Sequence, residues 1–245
     1  MPDVTWIQDK RDDPLDAHHG SYTTIDSGVS DSAFGSEANF TRFLVQNSTY
    51  RRVLSKRYVL ARLTRIGIEE PFGATRLNFI PLPERFFAGG GNSLRGFSFN
   101  QAGPRDLQTG FPLGGEALFV NQIELRTPPL PFPFVGENLS AVLFHDMGNV
   151  FTTAKDMWPG LIKLGQDSKQ NCQNLAVNLP CDFNFMSHAL GAGLRYRTPI
   201  GPVRFDVGYN LNPATFPVRL AIPDHPAHVE RVHPFTFVFS IGQTF

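Results

Sequence analysis

The 245-residue chain has no run of the ~18 apolar side chains that a membrane-spanning helix needs. Its first residues, "MPDVTWIQDKRDDP", have neither the basic head nor the apolar stretch of a secretion signal. Net charge is missing too. Basic and acidic residues balance at 22 each, so there is no positive field for nucleic acid and no acidic, solubilising tail. Several chemical motifs also fail. "AGGGNSLRG" is glycine-dense but has no lysine followed by serine or threonine, so it is no phosphate cradle. "GAG" at 191–193 sits inside an alternating segment rather than ahead of a helix, and is no dinucleotide fingerprint. No serine–histidine–aspartate or cysteine–histidine set has supporting context. His225, His228 and His233 offer metal-ligand types, but in a proline-broken loop they read as surface residues, as do His18 and His19 in a turn. No enzyme chemistry, metal or cofactor is expected.

Phenylalanine, glycine and proline are abundant, at 23, 22 and 20 residues against only 2 tryptophans. Phenylalanine favours strands and glycine with proline punctuates them, which points to an all-β chain with many turns. The end of the chain is the clearest segment. In "PFTFVFSIGQTF", Phe235, Phe237, Phe239, Ile241 and Phe245 fall on one face of an extended strand. Thr236, Ser240, Gly242 and Thr244 take the other face, with Val238 an exception. "PVRFDVGYNL" sets Val203, Phe205, Val207 and Tyr209 against Arg204, Asp206, Gly208 and Asn210. "LGAGLRYRT" repeats the pattern. Strands are expected near 4–10, 20–29, 39–49, 57–68, 116–127, 139–150, 188–198, 202–211 and 235–245. The segment 69–87 reads as loop or one further strand.

Such alternation suits a soluble sheet sandwich as well as a membrane wall. The loops favour the wall. Short connections at "TYRRVLSK", "PPLPFPFVGEN" and "RTPIGP" alternate with long ones over about 84–114, 152–187 and 212–233. Transmembrane β-barrels show that asymmetry, with tight periplasmic turns and extended outer loops. Strands of about ten residues fit a tilted crossing, and the last three strands contain no lysine.

Four segments carry a resemblance: "GGGNSLRGF", "GGEALFVNQIELRTPPLPF", "LFHDMGNVF", and "GAGLRYRTPIGPVRFDVGYNL" with the terminal phenylalanine strand. In this order and spacing they resemble the C-terminal half of the barrel of BamA- and TamA-type outer-membrane assembly factors, the surface-antigen superfamily that includes two-partner secretion transporters. "WIQDKRDDPLDAHHGSY" is similar to a strand–turn–strand of the same family, so the likeness spans nearly the whole chain. The fold implied is an antiparallel transmembrane β-barrel in a bacterial outer membrane, with the whole chain, 1–245, one barrel domain.

The resemblance implies that the loop ending in Arg95, Gly96 and Phe97 folds into the lumen as a lid. Its arginine would meet Glu124 on the next strand and Asp146, with Phe144 and Gly148, on the one after. Alternation places these residues consistently: Gln122, Glu124 and Arg126 share the polar face of one strand, and Phe144, Asp146 and Gly148 one face of the next. A guanidinium can bridge two carboxylates through its planar donors, as lysine cannot. Phe97 would wedge its ring beside the pair. Cys172 and Cys181 fall in a loop placed outside the cell, where nearby cysteines pair, so a disulfide is expected.

The work implied is insertion of unfolded outer-membrane proteins into the bilayer, or passage of a secreted protein through the pore. The partners implied are those clients, the lipid bilayer, and accessory assembly proteins or further copies of the chain. A passive pore or structural barrel is the alternative. The terminal strand ending at Phe245 would form one side of a seam and carry the aromatic signal that assembly machinery reads. Length departs from the family, whose barrel has sixteen strands. About eight strands enclose only their own side chains and leave no room for a lid. The chain is thus expected to be part of a longer protein, to join with further copies, or to close a narrow barrel with the loop expelled.

Overall fold

The structure, a computed structural model, describes residues 1–54, 57–73, 75, 80–131, 138–167, 172–173, 175, 181–199, 201–220 and 226–242. Its frame is one antiparallel sheet of nine strands. In order these are β1 (Asp3–Asp9), β2 (Gly20–Ser30), β3 (Phe40–Val53), β4 (Tyr58–Pro71), β5 (Ala117–Arg126), β6 (Leu139–Phe151), β7 (Ser187–Tyr196), β8 (Val203–Asn210) and, last, β11 (Phe235–Ile241). A hairpin of β9 (Thr215–Val218) and β10 (His228–Arg231) interrupts the segment expected to be loop over 212–233. A short helix, α1 (Ala154–Gly160), follows β6. The expected strands match within a few residues. The largest difference is β3, which runs on to Val53 because Tyr50–Val53 keep pairing with Tyr58–Ala61. Residues 69–87 supply the end of β4 and a 3-10 turn at Leu82–Glu84, not a further strand. No helix among the described residues is long and apolar enough to cross a membrane.

Every connection at one end of the sheet is short, whereas the other end carries the long segments 72–116, 152–186 and 211–234. An odd strand count has a geometric consequence. β1 and β11 both run from the long-loop end to the short-turn end, and each pairs on one side only among the described residues. Direct closure of β1 on β11 would be parallel. An all-antiparallel ring takes an odd number of further strands, which argues against a narrow single-chain barrel.

The two faces are chemically opposite. On the outside, Leu143, Leu190, Leu194, Phe205, Tyr209, Phe235, Phe237, Phe239 and Ile241 are exposed. On the inside, Glu124, Asp146, Arg195, Arg204 and Asp206 are buried. Two pairs of polar side chains on the outer wall satisfy each other: Asn47 donates to Thr23 (2.8 Å) and Asn121 to Thr64 (3.0 Å). In lipid, where no water competes, such pairing keeps them affordable. The sheet curls enough for its short-turn end to be spanned from inside. Asp16, in the β1–β2 turn, pairs with Arg197 beyond β7. Its neighbour Ala17 packs under Tyr50, Val59 and Ala61.

The upper interior is apolar rather than wet. Leu94, Phe97 and Ala102 of the lid loop pack with Leu63, Leu118, Val120, Val150, Phe183, Phe185 and Phe216 in one buried cluster.

Candidate functional site

Arg95 and Arg204 are the largest fully buried side chains of the described residues. Arg95 Nε and Nη2 donate to Asp146 Oδ2 (2.8 Å) and Oδ1 (2.6 Å), a fork-to-fork pair, and its backbone N–H donates to the same Oδ2 (3.0 Å). Its Nη1 donates to Glu124 Oε1. The guanidinium lies 3.6 Å from the Phe144 ring centroid, within the range where a ring face attracts a cation. The ring stacked on the arginine is thus Phe144. Phe97, expected there, lies in the apolar cluster above.

The arrangement follows from strand register. Glu124 is paired with Phe144 and Gln122 with Asp146 across β5 and β6. The two carboxylates therefore project side by side from the inner face. Each would be costly to bury alone. Together with one guanidinium they form a set in which breaking a pair typically costs about 3–5 kcal/mol. Close backbone approach completes the seat. A Cβ on Gly208 of β8 would run into the Arg95 carbonyl, so only glycine lets the loop lie flat on the wall there. Gly96 rests on Ala189 of β7, and Gly148 on β6 leaves room for Leu94.

The cluster is larger than the residues singled out from the sequence. Asp206 on β8 accepts from both Nη atoms of Arg195, the Nη2 at 3.1 Å, and from Arg204 Nη2 (3.3 Å). It lies 3.7 Å from Arg95 Nη1. Glu124 also accepts from Arg126 Nε (3.1 Å) and Arg195 Nη2 (3.4 Å). Four arginines, Arg95, Arg126, Arg195 and Arg204, thus interleave with three carboxylates, Glu124, Asp146 and Asp206. The signal for these was present in the alternation of β7 and β8. It lacked any cue to pair their polar faces with a loop about a hundred residues earlier.

Arg204 extends the cluster to the edge of the sheet. Its Nη2 donates to the carbonyl of Gly91 in the lid loop (3.1 Å). A Cβ on Gly91 would strike Val238 on β11. Val238, the apolar exception on the polar face of the terminal strand, is therefore the residue against which the loop rests. The β4–β5 loop thus touches β6, β7, β8 and β11 in succession.

The remaining expected positions contribute less. Phe245 lies outside the described residues. The expected bridge between Cys172 and Cys181 is not formed, and both are free thiols. They are neighbours all the same: burial, with the Cys172 thiol beside it, pushes the Cys181 thiol up to about 12. His225 lies outside the described residues. His228 and His233 each pair with a nearby backbone carbonyl, and no group of three or more metal-ligating side chains occurs among the described residues.

Residues 3–245 match the family model of the Omp85 superfamily domain. The outer membrane protein assembly factor BamA of Nitratidesulfovibrio vulgaris is 28% identical over 215 residues, covering 86% of this chain and 21% of that protein. BamA of Neisseria meningitidis serogroup B is 25% identical over 218 residues, covering 85% and 26%. The chain thus spans about a fifth to a quarter of the length of these relatives. The crystal structure of Haemophilus ducreyi BamA lacking POTRA domains 1–3 superposes with a TM-score of 0.66 at 21% identity, covering 96% of this chain and 41% of that one. The fold is accordingly that of a BamA-type barrel, of which this sheet is a C-terminal portion. With the family model covering nearly every residue, the chain belongs to the Omp85 superfamily.

Proposed function

We propose that this sheet is the seam-bearing part of an outer-membrane barrel that assembles other outer-membrane proteins, with the lid loop holding the seam strand in place. The observation that carries the reading is the line of contacts from Arg95 through Asp206 and Arg204 to Gly91 and Val238. It joins the most deeply buried cation to the edge strand. Among the described residues β11 pairs with β8 alone, so its second side offers a row of backbone N–H and C=O groups. An edge of that kind templates an incoming strand. Inside a bilayer the drive is strong, because an unpaired backbone group there has no water to turn to. The clients are unfolded outer-membrane proteins, and the lid clasp sets how readily the edge is released to them.

The test is reconstitution of the complete protein in phosphatidylcholine vesicles, timing the folding of a client barrel by its heat-resistant mobility on gels. Acceleration over empty vesicles, changed by loosening the clasp with Arg204→Ala, is the expected result. Ion conductance with no acceleration would overturn the proposal in favour of a passive pore.

A further inference from the structure

The helix after β6 lies outside the barrel, not over its mouth. Thr153 caps it, its Oγ1 accepting from the Asp156 N–H (3.2 Å). Its buried residues Ala154 and Met157 pack on Ala117 and Phe151, with Ile66, Ile68, Phe119 and Leu161 around them. Strand alternation assigns those wall residues to the outer face. Ala117 and Phe119 alternate with Leu118 and Val120, which pack against the lid loop inside, and Phe151 follows Val150, which does the same. The helix therefore covers the outward, membrane-facing side of β4, β5 and β6 at the long-loop end.

Its other side is not the polar surface such a position would need in water. Trp158 is 62% exposed, and Ile162 and Leu164 just beyond the helix are 84% and 70% exposed. Trp158 lies in the last turn of the helix, and Ile162 and Leu164 follow within six residues of it. Lys155, three residues before Trp158, is exposed as well. An apolar patch headed by tryptophan and flanked by a lysine suits the headgroup–acyl boundary, where the indole stays half in each phase and the ammonium reaches out to phosphate. The patch is continuous with the lipid-facing wall on which the helix rests, which names its occupant.

We infer that α1 and the turn after it form an outer-leaflet anchor, with Trp158, Ile162 and Leu164 seated in the upper acyl chains of the surrounding lipid. The signal of Trp158 is isolated as the difference in emission between the complete protein and its Trp158→Phe variant. The experiment places both proteins in phosphatidylcholine vesicles brominated either near the carboxyl end or near the methyl end of the acyl chain. Trp158 is expected to lose more than half of its emission with the shallow label, less with the deep one, and little to iodide in the buffer. Quenching by iodide without quenching by either lipid would overturn the anchor. So would protection from all three, which would mean that protein covers the patch. Trp158→Tyr, which keeps an amphipathic ring at the position, serves as the reference where Trp158→Phe does not fold.

Discussion

Replacing Arg95 and Asp146 singly and together measures the clasp itself. Asp146 receives three hydrogen bonds from Arg95, at 2.6, 2.8 and 3.0 Å, all fully buried. Two of them are charge-assisted on both sides, and such bonds contribute about 1.5–3 kcal/mol each. Arg95→Ala leaves Asp146 and Glu124 buried without their shared cation, a loss of about 3–5 kcal/mol. Asp146→Ala leaves Arg95 with Glu124 and Asp206, a milder defect. Once either partner is gone, removing the other forfeits little more. The expected coupling energy is therefore about 2–3 kcal/mol, well above the ~0.2–1 kcal/mol of exposed pairs. The assay is reversible urea unfolding in vesicles, followed by tryptophan emission, for the parent, both single variants and the double variant. Additivity within about 0.5 kcal/mol would refute contact between the two side chains.

Gly91→Ala forces a methyl group onto Val238, and overpacking of this kind costs about 1–3 kcal/mol. Adding Val238→Ala should recover most of the loss in the same unfolding assay, and absence of rescue would detach the lid from β11. At the lid's far end, burial pushes the Glu116 carboxyl up to about 7. The folded state then holds this proton more tightly than the unfolded chain, so stability falls as pH rises from the ordinary carboxylate range through about 7. Glu116→Gln should raise the melting temperature relative to the parent at pH 8 and leave it level at pH 4; an equal gap at both would contradict this. Because Cys172 and Cys181 are neighbouring thiols, diamide treatment should close the bridge expected from the sequence and leave no titratable thiol in the unfolded, non-reduced chain. Two remaining thiols would reject that pairing.

Legibility in the sequence followed burial geometry. β7, β8 and β11 stand out because lipid lies on one side and mostly polar or small side chains on the other, which gives period-two alternation with Val238 the exception. β4 is blurred for a visible reason. Val59 and Ala61 face inward but are covered by Ala17 of the β1–β2 turn, and Leu63 by the lid cluster, so apolar residues occupy both faces. The faces of Glu124 and Asp146 could be read from alternation, and their meeting with Arg95 from the family resemblance. Asp206, Arg195 and Arg204 could be assigned a face but no partner, since the loop that meets them is distant in sequence. The β9–β10 hairpin escaped because two four-residue strands separated by a proline-bearing segment look like loop. Phe97 was misplaced because the motif names a ring beside the arginine, whereas the β5–β6 register brings Phe144 to that spot.

The central claim, that the lid sits inside the barrel on the wall leading to the seam, is tested most directly by a cross-link in native membranes. With Cys172 and Cys181 replaced by serine, Gly96→Cys and Asn210→Cys put two Cβ atoms 3.4 Å apart, close to the separation a disulfide needs, and Ala189→Gly removes the methyl group that would otherwise crowd the new side chain. Leu143→Cys with Ala192→Cys, directly opposite each other on the outer face of β6 and β7, serves as the oxidation control. The account predicts that both pairs form a disulfide on mild oxidation, visible as a mobility shift lost on reduction. A control pair that links while the lumenal pair stays reduced would contradict it.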